Sequence, residues 1–312
     1  MTGEAEYIER LRAIASHPAA RGLADDAALL DGLVLTHDMI AEGVHFLSDD
    51  PPASVGWKLV AVNLSDLAAK GAAPLAALMG ASLSGDGEWD EAFLGGIGAA
   101  CETYGLGLIG GDTVALAEGA PKTFGMTAIG RAGARTPSRS GGSPGDELWV
   151  AGFLGDAAAG LDLLLHDPEA DGLLVEAYRR PIPLLAAGVE LALSAAATMD
   201  VSDGLLIDLD RLAGASGCGA IVDLDALPLS AAFVAERGGD RRARLFAATA
   251  GDDYALLAAL PAGFEPGIKL CLPSGPILRR VGRLTEGEGS SLFDAAGNVP
   301  LPERLGYEHH RH

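Results

Sequence analysis

Residues 54–71 read SVGWKLVAVNLSDLAAKG, an apolar stretch that carries a few polar side chains. The pattern predicts one helix, with Ser54 as the N-cap after two prolines and Gly71 as the stop. Asn63 and Asp66 are three residues apart, so their side chains share a face of that helix. A carboxylate beside a buried apolar stripe costs several kcal/mol unless it is paired or binds a metal. Asp66 is therefore the first candidate functional residue.

Other acidic residues stand where predicted strands begin or end. In chain order they are Asp25, Asp26, Asp38, Asp112, Asp200, Asp203, Asp252 and Asp253. Any one of them alone is more often a cap or turn residue than a metal ligand. Magnesium needs several hard oxygen ligands, however, and phosphoryl transfer commonly uses more than one ion. The number and placement of these residues therefore predict a carboxylate-lined cleft that binds several Mg²⁺ ions.

The acidic composition restricts which partners the chain can bind. The 312 residues include 43 acidic and 22 basic side chains, a formal net charge of -21. Such a surface repels DNA, RNA and anionic membranes, so we exclude nucleic-acid and membrane binding. ATP is itself an anion and can approach such a cleft only with divalent cations in between. The charge balance therefore supports Mg²⁺ as a cofactor of any ATP-dependent function.

Cysteine usage and the N-terminal sequence predict a cytoplasmic protein. Cys101, Cys218 and Cys271 are far apart and form no C-x-x-C pair, which is typical of reduced thiols. The first residues carry several charged side chains, unlike a signal peptide, and no apolar run has the length of a membrane span. Three histidines at the C-terminal end are not interpreted as ligands because they lie so near a free end.

Strand-like and helix-like runs recur in both halves of the chain and predict the α/β (α+β) class. Asp31-Gly32 between two short apolar runs predicts a β-hairpin, and residues 106–109 predict a buried strand. Residues 135–146 are rich in Pro, Gly and Ser and predict a linker. We therefore predict an N-terminal domain over 1–134 and a C-terminal domain over 147–312, each with mixed sheets flanked by helices.

Two common phosphate-binding motifs do not apply to this chain. No lysine follows a glycine, so the sequence lacks a P-loop. Residues 105–110 match G-x-G-x-x-G, but they follow a predicted helix and enter a strand, the reverse of the order in a dinucleotide-binding unit. Gly105 is therefore interpreted as a helix stop.

Short motifs extend in a fixed order from residue 22 almost to the C-terminus. They are GLADDAALL (22–30), THD (36–38), GVHF (43–46), AVNLSDLAA (61–69), IGGDT (109–113), RSG (139–141), GDAAAG (155–160), DVSDG (200–204), GDDY (251–254) and GY (306–307). Each is weak alone, but together they resemble the thiamine-monophosphate kinase family, within the superfamily that includes aminoimidazole ribonucleotide synthetase.

The resemblance implies a two-domain aminoimidazole ribonucleotide synthetase-like fold with the active site between the domains. It also implies a homodimer in which the N-terminal sheets pair. The implied reaction is phosphorylation of thiamine monophosphate to thiamine diphosphate by direct in-line transfer of the γ-phosphoryl group of ATP, assisted by several Mg²⁺ ions. A phosphate monoester is already ionised at neutral pH, so alignment and charge neutralisation replace a general base.

The resemblance also implies roles for individual residues. Those implied to bind metal are Asp26, Thr36, His37, Asp38, Asp66, Asp112, Asp200 and Asp203, with Asp66 and Asp112 neutralising charge in catalysis. Those implied to contact ATP are Tyr104, Gly111, Asp112, Arg139 and Ser202, and those implied to contact thiamine monophosphate are His45, Asp252 and Arg304. On sequence alone His45 reads as a surface histidine, and Arg139 as either a solvated linker charge or a phosphate clamp.

Four positions depart from the pattern usual in this family. His37 stands where Ser or Thr is usual, Ala24 where Gly is usual, and Asp252 where Glu is expected, which shortens the reach to substrate by one methylene. Arg304 lies near a position where an aromatic residue is common. These departures affect mainly the expected contacts with the acceptor.

Two kinds of alternative stay open at this point. Within the superfamily, the rivals are aminoimidazole ribonucleotide synthetase, selenophosphate synthetase and the hydrogenase maturation enzyme. The last two would have a reactive Cys near the N-terminus or at the C-terminus, and this chain has neither. Outside the superfamily, the alternative is a non-catalytic, acidic metal-binding or scaffold protein.

Overall fold

A computed structural model describes residues 4–117, 119–267 and 277–308, so Cys271 and the histidines at 309, 310 and 312 lie outside the described residues. The helices are α1 (Glu4–Arg12), α2 (Pro52–Ala69), α3 (Gly87–Tyr104), α4 (Asp156–His166), α5 (Leu173–Arg179), α6 (Leu185–Ala192), α7 (Leu205–Ala215), α8 (Ala231–Arg237) and α9 (Arg241–Thr249). The strands are β1 (Ala28–Leu30), β2 (Leu33–Ala41), β3 (Ala73–Leu83), β4 (Gly107–Ala115), β5 (Thr123–Arg131), β6 (Glu147–Ala151), β7 (Ala197–Val201), β8 (Gly219–Asp223), β9 (Ala255–Leu260), β10 (Leu278–Thr285), β11 (Ser290–Asp294) and β12 (Gly297–Val299).

The first sheet has the strand order β1-β2-β5-β3-β4, with only the β3–β4 pair parallel. The predicted hairpin joins β1 to β2, and both of its turn residues have positive φ, 50° at Asp31 and 78° at Gly32. That geometry suits a two-residue hairpin turn. Helices α2 and α3 pack against each other, and α2 covers one face of this sheet.

The second sheet has the order β12-β11-β8-β10-β6-β9-β7 and is antiparallel except between β8 and β11. The strands of this second sheet follow residues 135–146 in the chain, whereas the strands of the first sheet precede those residues. Leu209 and Leu212 of α7 join strand residues such as Val222 and Leu257 in its main hydrophobic core. The prediction of two mixed sheets flanked by helices is confirmed.

Helix α2 lies between the two sheets and positions most of the polar side chains discussed below. It contacts β2 and β5 of the first sheet and β7 and β9 of the second, which explains why almost every residue on it is buried. The predicted N-cap was wrong: Pro51 is the N-cap and Ser54 lies inside the helix. Pro52 is the first helical residue, a position that suits proline because an N–H there would have no partner within the helix.

The predicted helix stop after α3 agrees with the structure, whereas the predicted burial of the following strand does not. Gly105 ends α3 in the left-handed conformation with φ 67°, which confirms the helix stop. The strand predicted to be buried at 106–109 runs instead over Gly107–Ala115, and all nine of its residues are exposed. It is an edge strand. Apolar sequence alone therefore misplaced it, because burial depends on what covers the sheet.

Among residues 4–117, 119–267 and 277–308, no helix is both long enough and apolar enough to cross a bilayer.

Candidate active site

A cavity of about 1180 Å³ lies between the two domains. Helix α2 and the β1–β2 region supply one wall, and loops at the ends of β7 and before β9 supply the other. Of the residues implied by the motifs, it is lined by Asp26, Asp38, His45, Asp66, Arg139, Asp200, Ser202, Asp203 and Asp252. Acidic residues that are far apart in the chain therefore converge on one cleft.

Three carboxylates form an acidic triad at the centre of this cleft. Asp26 comes from the segment before β1, Asp66 from α2, and Asp200 from β7 of the second sheet. One oxygen of each lies within 4.8 Å of the others. Because Asp200 belongs to the other domain, the triad exists only where the two domains meet.

Among the described residues, the hydrogen bonds that Asp66 and Asp200 accept from side chains come from hydroxyl groups. Asp66 accepts a hydrogen bond from the Thr36 hydroxyl, and Asp200 accepts one from Ser65 Oγ at 2.7 Å. Within the described ranges neither forms an ion pair with Lys or Arg. Burial, followed by the charges of neighbouring carboxylates, raises the pKa of both groups well above the ordinary value. If both carboxylates are ionised, a bound cation would stabilise them.

Asp26 is surrounded by cations that belong to the protein. Its Oδ1 accepts hydrogen bonds from Arg139, with Nε at 2.7 Å, and its Oδ2 lies 2.5 Å from the ammonium of Lys70. Burial alone would raise the pKa of Asp26, but the charges of Lys70 and Arg139 outweigh it and lower that pKa. Lys70 also lies 2.5 Å from Asp25 and donates to the carbonyl oxygen of Thr198. From the sequence, a lysine at a helix end is expected to be exposed, so the sequence did not indicate that Lys70 pairs with buried aspartates.

The donor set of the triad fits Mg²⁺. All the candidate ligands are carboxylate oxygens, which are the hard ligands that this ion prefers. Asp38 adds a further carboxylate and is held in place by Asn63, whose Oδ1 accepts the Asp38 backbone N–H at 2.9 Å. The predicted pair of Asn63 and Asp66 on one face of α2 thus has distinct tasks. Asn63 orients the strand, whereas Asp66 faces the cleft.

Metal-free protein is expected to lose thermal stability as pH rises. Burial, followed by nearby carboxylates, raises the pKa of Asp38 to about 6 and that of Asp208 to about 7, from 3.8. These groups bind protons more tightly in the folded state, so their ionisation between about pH 4 and pH 7 favours the unfolded chain. Mg²⁺ should offset the repulsion among the cleft carboxylates.

Differential scanning fluorimetry with EDTA or Mg²⁺ at several pH values tests this expectation. The Mg²⁺-induced rise in Tm should be larger at pH 8 than at pH 5 by roughly 5 °C. Equal rises at the two pH values would contradict the link between these carboxyls and the cation.

A buried carboxylate that the motifs did not single out fixes the loop of Ser202 and Asp203. Asp208 of α7 accepts the backbone N–H groups of Ser202 and Asp203 at 3.1 and 3.0 Å. Arg211 then bridges Asp208 at 2.8 Å and Asp203 at 2.5 Å. Asp203, for which the resemblance implies a further ion, is therefore already paired with an arginine. Helical spacing of Asp208 and Arg211 was visible in the sequence, but nothing there indicated that they hold the loop of Ser202 and Asp203.

Asp252, for which the resemblance implies a contact with the acceptor, is hydrogen-bonded to two other residues of the cavity lining. Its backbone N–H donates to the carbonyl oxygen of Ser202 at 2.7 Å, and its Oδ1 accepts from the Tyr254 hydroxyl at 3.0 Å. Asp252 and Tyr254 have φ of 69° and 50°, a region that is unfavourable for residues other than glycine. Such strain concentrates at functional sites, which is consistent with the motif assignment of this loop.

Several residues with implied roles lie outside the cavity lining of the single chain. The His37 side chain is on the opposite face of β2, with Nδ1 2.9 Å from Thr127 Oγ1. Tyr104 packs edge-on against Trp57 at a centroid distance of 5.6 Å. Arg304 is exposed in the C-terminal segment, where Tyr307 lines the cavity instead. Thr36 is buried and reaches the site through Asp66.

Gly111 and Asp112 lie on β4, away from this cleft. Asp112 pairs with Gly80 of β3, which pairs with Gly125 of β5. Met126, next in sequence, is buried under the helices, so strand alternation directs Asp112 to the opposite, open face of the sheet. Two strands, β5 and β3, separate β4 from β2. Within one chain, Asp112 cannot join the carboxylates of Asp38 and Asp66.

Comparisons with known proteins agree with this architecture. Residues 24–132 match the family described as AIR synthase related protein, N-terminal domain, and residues 143–294 match the corresponding C-terminal domain. The chain is similar to the thiamine-monophosphate kinase of Salmonella typhimurium, with 40% identity covering 81% of this chain and 79% of that protein. It is 35% identical to the enzyme of that name from Caulobacter vibrioides, covering 94% and 86%. AaThiL complexed with AMPPCP and TMP has a TM-score of 0.84 at 30% identity, covering 99% of this chain and 97% of that one.

Proposed function

The chain belongs to the thiamine-monophosphate kinase family, and from that premise we propose that it transfers the γ-phosphoryl group of ATP to thiamine monophosphate, forming thiamine diphosphate and ADP. The observation that carries this proposal is the convergence of Asp26, Asp66 and Asp200 from both domains on one cleft. An acidic centre of this kind suits a reaction in which two anions must meet. Mg²⁺ bound there would neutralise the phosphates of nucleotide and acceptor.

The protein's own groups have separable tasks in this reaction. Asp66 and Asp200 would hold the cation, because no protein ammonium or guanidinium in the described part of the chain pairs with them. Arg139 is fixed by Asp26 at the cleft wall, where a guanidinium suits the nucleotide phosphates. Asp208 fixes the Ser202 loop on the same side. No side chain needs to remove a proton, because the attacking phosphate oxygen is already ionised.

The two substrates are assigned to adjoining parts of the cleft. ATP takes the part with Arg139 and Ser202, and thiamine monophosphate takes the part with His45 and Asp252. The hydrogen bond from the Asp252 N–H to the Ser202 carbonyl oxygen joins the two parts directly. In-line transfer needs the reacting atoms close and aligned, so a rigid link of this kind supports the assignment.

A homodimer is part of the proposal. The open face and edge of the first sheet expose Met39, Leu78, Ile109 and Val114, each by at least 42%. An uncovered sheet edge with apolar side chains is a surface that proteins normally cover. Since Asp112 cannot reach the acidic triad of its own chain, its implied role requires β4 of a second copy to bring it to the cleft. The dimer would then complete the site as well as bury the sheet.

A cytoplasmic location is also proposed. The three cysteines are far apart in the sequence, which is typical of reduced thiols and supports this location. Both proposed substrates are small anions that a reduced, ATP-containing compartment would supply.

Coupled measurement of ADP release tests the proposed reaction. With Mg²⁺, ATP and thiamine monophosphate, ADP and thiamine diphosphate should form in equal amounts, and unphosphorylated thiamine should give no product. ADP release with a purine-precursor ribonucleotide instead would favour an aminoimidazole ribonucleotide synthetase-like activity. No ADP with any acceptor would favour a non-catalytic metal-binding protein.

A further inference from the structure

A lysine within the central helix connects the two loops assigned to the acceptor. Lys58 of α2 is buried, with only 2% of its side chain exposed. Its Nζ donates to the carbonyl oxygen of His45 at 2.8 Å and to Asp252 Oδ2 at 2.8 Å. The same ammonium lies 4.1 Å from the ring centroid of Tyr178 on α5. His45 belongs to the N-terminal half, whereas Asp252 and Tyr178 belong to the C-terminal half.

Burial of the Lys58 ammonium has a free-energy cost, so the presence of a lysine at this position needs an explanation. An ammonium removed from water is destabilising unless it is paired and hydrogen-bonded. Two of the three N–H donors of Lys58 are used by the oxygens of His45 and Asp252, and an aromatic face adds a cation–π contact. Stability alone would be served as well by an apolar residue at this position of an otherwise buried helix. What the lysine adds is a defined spacing between the two loops.

Further contacts hold each loop against the body of the protein. Asp50 accepts the Leu47 N–H at 2.8 Å and is paired with Arg179 of α5 at 2.8 Å, which anchors the far end of the His45 loop. The Ala41 N–H donates to His45 Nδ1 at 3.1 Å. On the other side, the strained Asp252 also accepts from Tyr254. Lys58 is the group that links these two separately anchored loops.

We propose that Lys58 is the positioning residue of the acceptor subsite, where its ammonium holds His45 and Asp252 at the spacing that the acceptor requires. This inference rests on the proposed function, because it takes thiamine monophosphate as the acceptor. Lys58 does not contact Asp26, Arg139 or Ser202, which belong to the nucleotide part of the cleft. Removing its charge should therefore weaken acceptor binding selectively and leave nucleotide binding intact.

Steady-state kinetics of Lys58→Met tests this selectivity. The KM for thiamine monophosphate should rise at least about tenfold, while the KM for ATP stays within about twofold of wild type. The matched control is Arg241→Met, which removes an exposed ion pair with Asp294, remote from the cleft, and should change neither constant. If Lys58 were only structural, part of the enzyme would be inactive. The value of kcat would then fall with both KM values unchanged, which would overturn the proposal.

Amide hydrogen exchange supplies a measurement that does not depend on turnover. In substrate-free protein, exchange over residues 43–47 and 251–254 should accelerate together by at least about threefold in Lys58→Met and in neither segment for Arg241→Met. Unchanged exchange in both segments would refute the positioning role even in an active enzyme. Wild-type protein without turnover would instead refute the proposed function and leave the exchange result to decide on Lys58.

A second variant covers the case in which Lys58→Met does not fold. Lys58→Gln keeps two N–H donors and much of the stem but loses the charge. It should fold, and it should shift the acceptor KM and the exchange of both segments in the same direction by smaller factors. No change in either quantity would count against Lys58.

Discussion

Replacing Asp66 by Asn is expected to lower kcat by at least about 10³-fold while the protein stays folded, because cation binding contributes several kcal/mol to phosphoryl transfer. The side chain keeps its size and its contact with the Thr36 hydroxyl. The change removes the negative charge that attracts the cation between the domains. Near-normal rates for this variant would remove Asp66 from the active site.

Although Asp66→Asn should lower kcat, it should not destabilise the protein in metal-free buffer. Burial and the neighbouring charges of Asp38 and Asp200 raise the pKa of Asp66 well above its ordinary value, so its ionised form is unfavourable in the fold at neutral pH. Asn removes that cost. The Tm in EDTA should therefore equal or exceed that of wild type, and added Mg²⁺ should raise it less.

Asp162→Asn is the matched control for this experiment. It makes the same chemical change at a partly exposed carboxylate that pairs with Arg237 and does not line the cleft. Its rate and its response to Mg²⁺ should be those of wild type. A loss of activity in both variants would point to a general effect of reduced acidity instead of a role for Asp66.

The distribution of cations in the cleft explains why charge removal should act so differently at different aspartates. Lys70 and Arg139 neutralise Asp26, and Arg211 neutralises Asp203. These carboxylates form ion pairs with cationic side chains of the protein itself. Within the described part of the chain, Asp66 and Asp200 form no ion pair and accept hydrogen bonds from hydroxyl groups, so they remain available to an external ion. The net charge of the chain could not reveal this division, because it depends on which side chains meet across the domain boundary.

Local features of the fold were predictable from the sequence to the extent that they depend on neighbouring residues. The Asp31-Gly32 turn and the Gly105 helix stop follow from backbone preferences of the residues present. The position of β4 does not, because an apolar strand looks the same whether it is central or at an edge. Its exposure became apparent only from the strand order.

The candidate site shows the same limit. The motif order indicated which aspartates matter, including Asp26, Asp66 and Asp200, and these three do converge. Lys58 and Lys70 carried no comparable signal, because a single lysine on a helix normally lies in water. Their burial follows from the packing of α2 between two domains. Sequence reasoning therefore found the charges that bind ligands more readily than the charges that hold those residues in place.

Mixed dimers are expected to recover activity that neither parent variant has. Asp66→Asn should be inactive for the reason given above. Asp112→Asn should also be inactive if Asp112 completes the site of the partner subunit. In the single chain Asp112 is exposed and lies on the sheet face opposite the one that α2 covers. Each variant alone would have two incomplete sites per dimer.

Co-expression with two different affinity tags distinguishes a shared site from a self-contained one. In a mixed dimer, one site would combine both substitutions and the other would have neither, so random pairing should restore about one-quarter of the wild-type sites. Purified mixed dimers should then have about half the wild-type kcat per dimer with unchanged KM values. If Asp112 acts within its own chain, or has no role, the mixture offers no such gain: every site would keep one lesion in the first case, and Asp112→Asn would be active by itself in the second. Recovery in the mixture therefore requires both that the sheets pair across the dimer and that β4 of one chain supplies a carboxylate to the cleft of the other.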